Sequence, residues 1–572
     1  MTHAPRLRAA LAGALLAAAA LAAPLATPAA AQTGTLAPRA PKLIVALSID
    51  QFSAELYERY RPSFTGGLKR LGEGVSFVNG YQSHAATETC PGHSTILTGR
   101  HPAATGIIAN SWYDRASGST LYCVAVKGTA DPDARGGQML RVDTFGDWLK
   151  RAQPGARSFA VSGKDRAAIM MGGHHADAIY WWGDNEGFTS SAFAAPATPT
   201  VLAPARAFNA ALIARWKAAP PALWPTSVSA RCAALQKPFQ MGAVAMPGTV
   251  PPPASLTVET GPNFFARTDF ADQLRASPLF DQLVLDFAGQ LIDRNRLGRG
   301  AATDLLAISL SATDYIGHRY GNGGAEDCVQ MAALDAALGG FFARLDALNL
   351  PYMVVLTADH GAADAPERAA ANGNAQARRV DGAAVVRALN TELRRQFALG
   401  YDPVASEGAD DITITAGADA ALAARMRAAA VVWLKARPEV EAVFTADEIA
   451  AVPSPSHIPP TQLSLIQRYA ESFDRSRSGD ILVAYHPYTT LGVPRAPGDV
   501  VAGHGTPWDY DRRVPILFWW PGVTPRAESA AIETVDIAPT LAAIAAVPTP
   551  AVDGRCLASV ARCPNTGDSG QN

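Results

Sequence analysis

The run Leu43-Ile44-Val45-Ala46-Leu47-Ser48-Ile49-Asp50 decides the fold. It is apolar except for Ser48, rich in aliphatic side chains, and closes on a carboxylate. A short apolar run without polar alternation reads as a strand buried on both faces, the habit of parallel sheets flanked by helices. Four further runs share its form: 159–162 ends at Gly163-Lys164, 305–310 leads to Asp314, 352–357 ends at Asp359-His360, and 514–520 ends at Pro521-Gly522. Between them, stretches such as 281–294 and 329–348 place apolar residues three and four apart, which predicts helices. Strands alternating with helices predict an α/β fold with a mostly parallel central sheet. Ligands of such sheets sit beyond the carboxyl ends of the strands. The polar residues at those ends are therefore the candidates for chemistry.

Composition narrows the function classes. The 572 residues are 48% hydrophobic and 17% charged, too apolar for a disordered chain. With 49 Lys+Arg against 51 Asp+Glu, the chain lacks a basic footprint, and no nucleic-acid partner is indicated. Residues 1–31 read as a signal peptide: Arg6 and Arg8 are followed by an apolar run over 9–23 and by Ala29-Ala30-Ala31. That run falls short of the ~20 residues of a membrane span, and no later segment reads as a clean span. A periplasmic or secreted monomer with no stable membrane anchor is expected. Export permits disulfides. Six cysteines allow fifteen pairings; proximity pairs Cys556 with Cys563, and Cys90 with Cys123 would close a medium loop and leave Cys232 with Cys328, the pairing beyond Cys556–Cys563 staying open. No Cys-x-x-Cys occurs, which argues against a thiolate metal site.

Two regions interrupt the alternation. Residues 185–262 are rich in Ala and Pro and read as a cap-like insertion. Residues 366–478 hold a helix-like Ala/Arg stretch, a short run over 411–415 and a second helix from about Asp419, and read as an inserted subdomain.

The eleven histidines single out the candidate site. Asp314 and His318 stand four apart, so a helical turn would put them on one face. Asp359 and His360 follow a predicted strand, Asp50 closes another, and His504 lies in Ala502-Gly503-His504-Gly505. Asp and His donors of this kind suit zinc with an open coordination position. In Thr87-Glu88-Thr89-Cys90-Pro91-Gly92-His93-Ser94-Thr95, Pro91 suits a first helical position, which predicts a helix over 91–97 with Thr89 at its cap. A hydroxyl there meets the free N–H groups and partial positive charge that favour phosphate. It becomes a nucleophile only when a base or metal activates it.

In their order along the chain, Asp50, Thr89-Cys90-Pro91-Gly92-His93, Asp314-x-x-x-His318, Asp359-His360-Gly361 and His504 resemble the alkaline phosphatase superfamily, in particular its phosphodiesterase/nucleotide pyrophosphatase-like branch. The blocks 98–102, 106–113 and 533–540 resemble the same branch. The resemblance spans about 42–545 as one catalytic domain, followed by a tail over 546–572. It implies two zinc ions, one held by Asp314, His318 and His504, the other by Asp50, Asp359 and His360, with Thr89 as a metal-bound nucleophile forming a phosphothreonine.

Ser162-Gly163-Lys164-Asp165-Arg166 resembles the Lys-x-Arg of PafA/PhoK-type alkaline phosphatases, where both cations and an Asn, here Asn110, hold the phosphate. Small-molecule phosphate monoesters are therefore favoured as substrates over diesters, with an inactive phosphate-binding protein as the remaining alternative. A sulfatase is disfavoured because Thr89 cannot become formylglycine, and a cofactor-independent phosphoglycerate mutase because it would be cytosolic with a Ser nucleophile. His93 is assigned to shaping the helix start, and His174, His175 and His486 to the surface or to a supporting layer. Trp519 and Trp520 are assigned to the core. Asp411 and the run 183–186 are candidate ligands for a structural Ca2+, with solvated loop acids the favoured account.

Overall fold

The computed structural model describes residues 36–564 except 184–185, 196–197, 253–267, 416, 418 and 456–457. The expected signal peptide lies outside the described residues. The central sheet is built from β1 (Leu43–Ile49), β2 (Val75–Tyr81), β3 (Ser158–Ser162), β4 (Ala178–Gly183), β5 (Gly187–Thr189), β6 (Asp304–Leu310), β7 (Tyr352–Thr357), β8 (Arg513–Trp519), β9 (Arg526–Glu528) and β10 (Ile532–Glu533). Its spatial order is β9-β2-β8-β7-β1-β6-β3-β4-β5, with β10 also beside β2. The neighbours β7-β1-β6-β3-β4 run parallel. By contrast, β8 is antiparallel to both β7 and β2, and β5 to β4.

β1 explains why its sequence is apolar throughout. Leu43, Val45, Leu47 and Ile49 enter one core, while Ile44 and Ala46 enter the core on the opposite face. A strand covered by helices on both faces has no side on which polar residues would be tolerated. The exceptions lie in a single register row. Ser162 pairs with Ser309, Ser309 with Ser48, and Ser48 with Thr357. This buried row of hydroxyls marks the point where four strands give way to loops. Two residues later come Lys164, Asp50 and Asp359, so in-register pairing delivers them to one place.

Five helices matter to the site: α1 (Thr89–Thr98), α2 (Asp165–Gly172), α3 (Pro278–Asn295), α4 (Ala312–Tyr320) and α5 (Ala325–Ala347). α5 is the one described helix long and apolar enough to cross a membrane. Here it is a core helix: Leu334, Leu338 and Phe342 are buried, and the Asp335 carboxylate accepts the N–H groups of Thr65, Gly66 and Leu68. α1 starts two residues before the position Pro91 suggested, with Glu88 as its cap residue and Thr89 as its first helical residue. Pro91 is tolerated because first-turn N–H groups have no partner within the helix.

Of the region 185–262, the described part carries a helix at Pro199–Ala218 and a small hairpin. Its Trp216 and Trp224 pack into the same core as β1. The region 366–478 contributes helices Gly382–Phe397 and Ala420–Lys435, with Asp419 capping the second. They cover a separate four-stranded antiparallel sheet ordered 404–405, 411–414, 481–485, 440–445. This sheet has its own core, which includes Leu389, Ile412, Met426 and Val483. The pairs Cys90–Cys123, Cys232–Cys328 and Cys556–Cys563 are all disulfide-bonded. Trp519 and Trp520 are buried as expected.

Candidate active site

Beyond the hydroxyl row, three carboxylates and three imidazoles converge. Asp314 Oδ1 lies 3.2 Å from His318 Nε2 and 3.5 Å from His504 Nε2. His360 Nε2 lies 3.3 Å from Asp359 Oδ2, and the His360 ring stacks on His504 at 3.6 Å. One donor each from Asp314, His360 and His504 falls within a single metal-sized group, and one each from Asp50, His93 and Asp359 within a second. His360, which the resemblance gives to the Asp50 set, thus stands between the two.

The histidines are prepared as ligands. Nδ1 of His318 donates to Ala502 O at 2.8 Å, that of His504 to Thr87 O at 2.8 Å, and that of His360 to Gly361 O at 3.0 Å. A carbonyl can only accept, so each Nδ1 carries a proton, and Nε2 is the atom that would face a metal once it is free of its own proton. Burial pushes the His360 imidazole down to about 3, keeping it neutral. Burial also opposes charge on His504, but its hydrogen bond to Asp314 and that residue's charge raise it to about 9. The buried atoms Asp359 Oδ2 and His360 Nε2 have no hydrogen-bond partner. Unpartnered buried donor atoms are costly, and a metal bound between them would satisfy both. The residues therefore fit a metal centre.

Sequence reasoning missed several supports. Gln51 takes a positive φ of 65° immediately after β1. Its N–H donates to Asp359 Oδ1 at 3.0 Å, and its side-chain amide to Asp314 Oδ1 at 2.9 Å. Ser309 Oγ donates to Asp50 Oδ1 at 2.7 Å. His93 is wholly buried and does more than shape the helix start. Its Nδ1 meets Thr89 O at 2.9 Å, its Nε2 meets Ser309 Oγ at 3.1 Å, and it lies 3.4 Å from Asp50 and 3.3 Å from Asp359. A Cβ on Gly92 would lie 2.0 Å from Asp359 O, which explains the glycine beside it. The spacing of Thr89-x-x-x-His93 was the available signal, but only the tertiary fold reveals its partners.

Thr89 is buried, with Arg166 Nη2 at 3.4 Å from its Oγ1. Asn110 Oδ1 accepts the Cys90 N–H at 2.8 Å, so the Asn110 side chain sits at the N-terminus of α1. The Cys90–Cys123 disulfide ties that terminus to the Asn110 segment, where Cys123 N donates to Asn110 O. Arg166 also reaches Tyr122 Oη at 3.3 Å, and Tyr122 donates to Asp165 at 2.6 Å. Lys164 is almost wholly buried, 2.5 Å from Asp314 Oδ2 and 3.0 Å from Asp50 Oδ2. Burial opposes its charge, but Asp314 and Asp50 hold its pKa above the usual lysine value. A cavity of about 430 Å³ opens beside the group, lined by Glu88, Asn110, His318, His504, Asp410 and Tyr469. Another of about 700 Å³ meets Lys164, Arg166, Tyr122 and Tyr315.

The other histidines lie elsewhere: His174 and His175 are exposed, and His486 pairs with Glu441. Asp411 joins no group of three ligating side chains among the described residues, and Asp184 and Asn185 fall outside those residues.

An Asp/His group that fits a metal at the strand ends of an α/β sheet, with a buried threonine and two cations beside it, has the residues of a metal-dependent ester hydrolase site. The chain belongs to the type I phosphodiesterase/nucleotide pyrophosphatase family, whose model matches residues 44–506. It is 45% identical to alkaline phosphatase PhoK of Sphingomonas sp. over 541 residues, 92% of each chain. It is 41% identical to alkaline phosphatase PhoD of Zymomonas mobilis subsp. mobilis over 90% of this chain and 88% of that one. The crystal structure of alkaline phosphatase PafA matches with a TM-score of 0.76 at 26% identity, covering 92% of this chain and 100% of that one.

Proposed function

We infer that the protein is an alkaline phosphatase that hydrolyses small-molecule phosphate monoesters through a phosphothreonine at Thr89. The observation that carries this reading is the placement of Lys164 and Arg166 beside Thr89 and the Asp/His cluster. Full-length similarity to proteins named alkaline phosphatase supports it. Asp314, His318 and His504 would hold one zinc, and Asp50, Asp359 and His360 the other, with Thr89 a further ligand. When bound, the two ions supply positive charge that favours the Thr89 alkoxide and offsets charge on the departing oxygen.

The chain's own residues do the rest. Thr89 Oγ1 forms a bond to phosphorus as the bond to the ester oxygen breaks and the alcohol leaves; water then cleaves the phosphothreonine. Asn110, Lys164 and Arg166 bind the non-bridging oxygens, whose greater charge in a monoester calls for cations. The Tyr122 hydroxyl orients the Arg166 guanidinium. Replacing Lys164 and Arg166 together by Ala is expected to lower kcat/KM for an aryl monophosphate by about 10²-fold or more. The loss for its methyl diester is expected to be much smaller. Equal losses in steady-state kinetics would show that these cations do not read the monoester.

The organisation proposed is one catalytic domain over 42–545 carrying insertions at 185–262 and 366–478. A monomer is proposed, since no step of the mechanism calls on a second chain. A secreted or periplasmic location is supported by the N-terminal segment and the three disulfides.

A further inference from the structure

A second group of metal-type donors lies away from the catalytic centre. His101 follows the Thr98-Gly99-Arg100 turn after α1, Glu471 follows the helix Leu465–Ala470 of the inserted region, and Glu533 ends β10. One donor atom from each falls within 4.8 Å of the others. His101 Nδ1 is 3.7 Å from Glu471 Oε2, and His101 Nε2 is 3.8 Å from Glu533 Oε2. These separations are too long for hydrogen bonds. They run to opposite ring nitrogens, so a shared ion would take one of the two; the three donor atoms lie within 4.8 Å of one another, and a small closing movement would bring them to the ~3.4 Å between ligands of a tetrahedral ion with ~2.1 Å bonds.

An independent observation points the same way. The Glu471 side chain is 5% exposed, and its Oε2 is buried without a hydrogen-bond partner. Orphans of that kind mark the catalytic centre too, at Asp359 Oδ2 and His360 Nε2. Ser83 Oγ lies 3.3 Å from His101 Nδ1, adding a neutral oxygen. Arg100, which lines the same cavity, pairs with Asp553 at 3.4 Å. A cavity of about 530 Å³, lined in part by His101, Glu471 and Glu533, opens the group to solvent and provides an entry path.

We propose that His101, Glu471 and Glu533 form a further divalent-metal site, suited to zinc, that fastens the inserted region to the catalytic core. One imidazole and two carboxylates are a donor set zinc accepts. The backbone already joins these parts here, since Ala103 N donates to Glu471 O. A metal at this point would add a cross-link beside the cavity wall formed by Tyr469 and Ser472.

The test uses the full chain, loaded with zinc alone and then dialysed against metal-free buffer. Metal content is measured by mass spectrometry, and crystals are examined at the zinc absorption edge. The expected result is an anomalous peak among His101, Glu471 and Glu533, and one fewer zinc per chain in the Glu471→Gln/Glu533→Gln variant. That variant should keep its turnover of an aryl monophosphate and show a smaller zinc-dependent rise in Tm than the parent. Absence of the peak from the parent, or unchanged zinc content in the variant, overturns the proposal. The peak is located separately from Asp314 and Asp359, so its outcome is independent of whether the catalytic centre holds zinc.

Discussion

Thr89→Ala is expected to abolish phosphoenzyme formation and to lower monoester turnover by at least about 10³-fold, while leaving the fold intact. The size of the loss follows from the loss of the nucleophile itself. The fold should survive because Thr89 is the first residue of α1, where the Glu88 cap residue and not the Thr89 hydroxyl begins the helix. Its Oγ1 contact with Arg166 is long, at 3.4 Å. Alanine also has the higher helix propensity. Rapid-quench trapping of labelled phosphate on the protein, with circular dichroism as a control for folding, decides the matter. Normal turnover by the alanine variant would remove Thr89 from the mechanism.

Chelation should have an effect of similar size. Asp50, Asp314 and Asp359 are buried together; burial pushes the Asp50 carboxyl up, but Lys164 and His93 hold it below the usual aspartate value. Lys164 reaches Asp50 and Asp314, and bound ions would supply the further positive charge that favours the Thr89 alkoxide. Dialysis against a strong chelator is therefore expected to reduce monoesterase activity to background, and zinc to restore it. A preparation shown by elemental analysis to be metal-free yet fully active would contradict the mechanism.

Local sequence revealed the parts of the fold that are locally uniform. β1, β3, β6, β7 and β8 are apolar runs, and their burial on both faces makes them so. β2 is harder to read, because Asn79 and Gly80 break Val75–Tyr81 and the pairing with β8 shifts register between Val514 and Ile516. Nothing in 514–520 signals that β8 runs antiparallel, since strand direction is set by distant connections. The order of acids and histidines indicated the site: Asp50 and Asp359-His360 follow strands, Asp314 opens the helix that carries His318, and His504 lies in a loop marked only by its glycines. Gln51, Ser309, Tyr122 and the partners of His93 were not legible. Their roles arise from contacts between segments distant in sequence, as when Ser309 reaches Asp50. The start of α1 was misplaced for the opposite reason: proline is permitted throughout a first turn, so Pro91 alone could not fix which residue begins it.

The most direct measurement is the ratio of kcat/KM for an aryl monophosphate to that for its methyl diester, taken on zinc-loaded protein. With Lys164 and Arg166 serving the extra charge of a monoester, the ratio should favour the monophosphate by orders of magnitude. Equal values, or a preference for the diester, would contradict the assignment of this chain as a phosphomonoesterase.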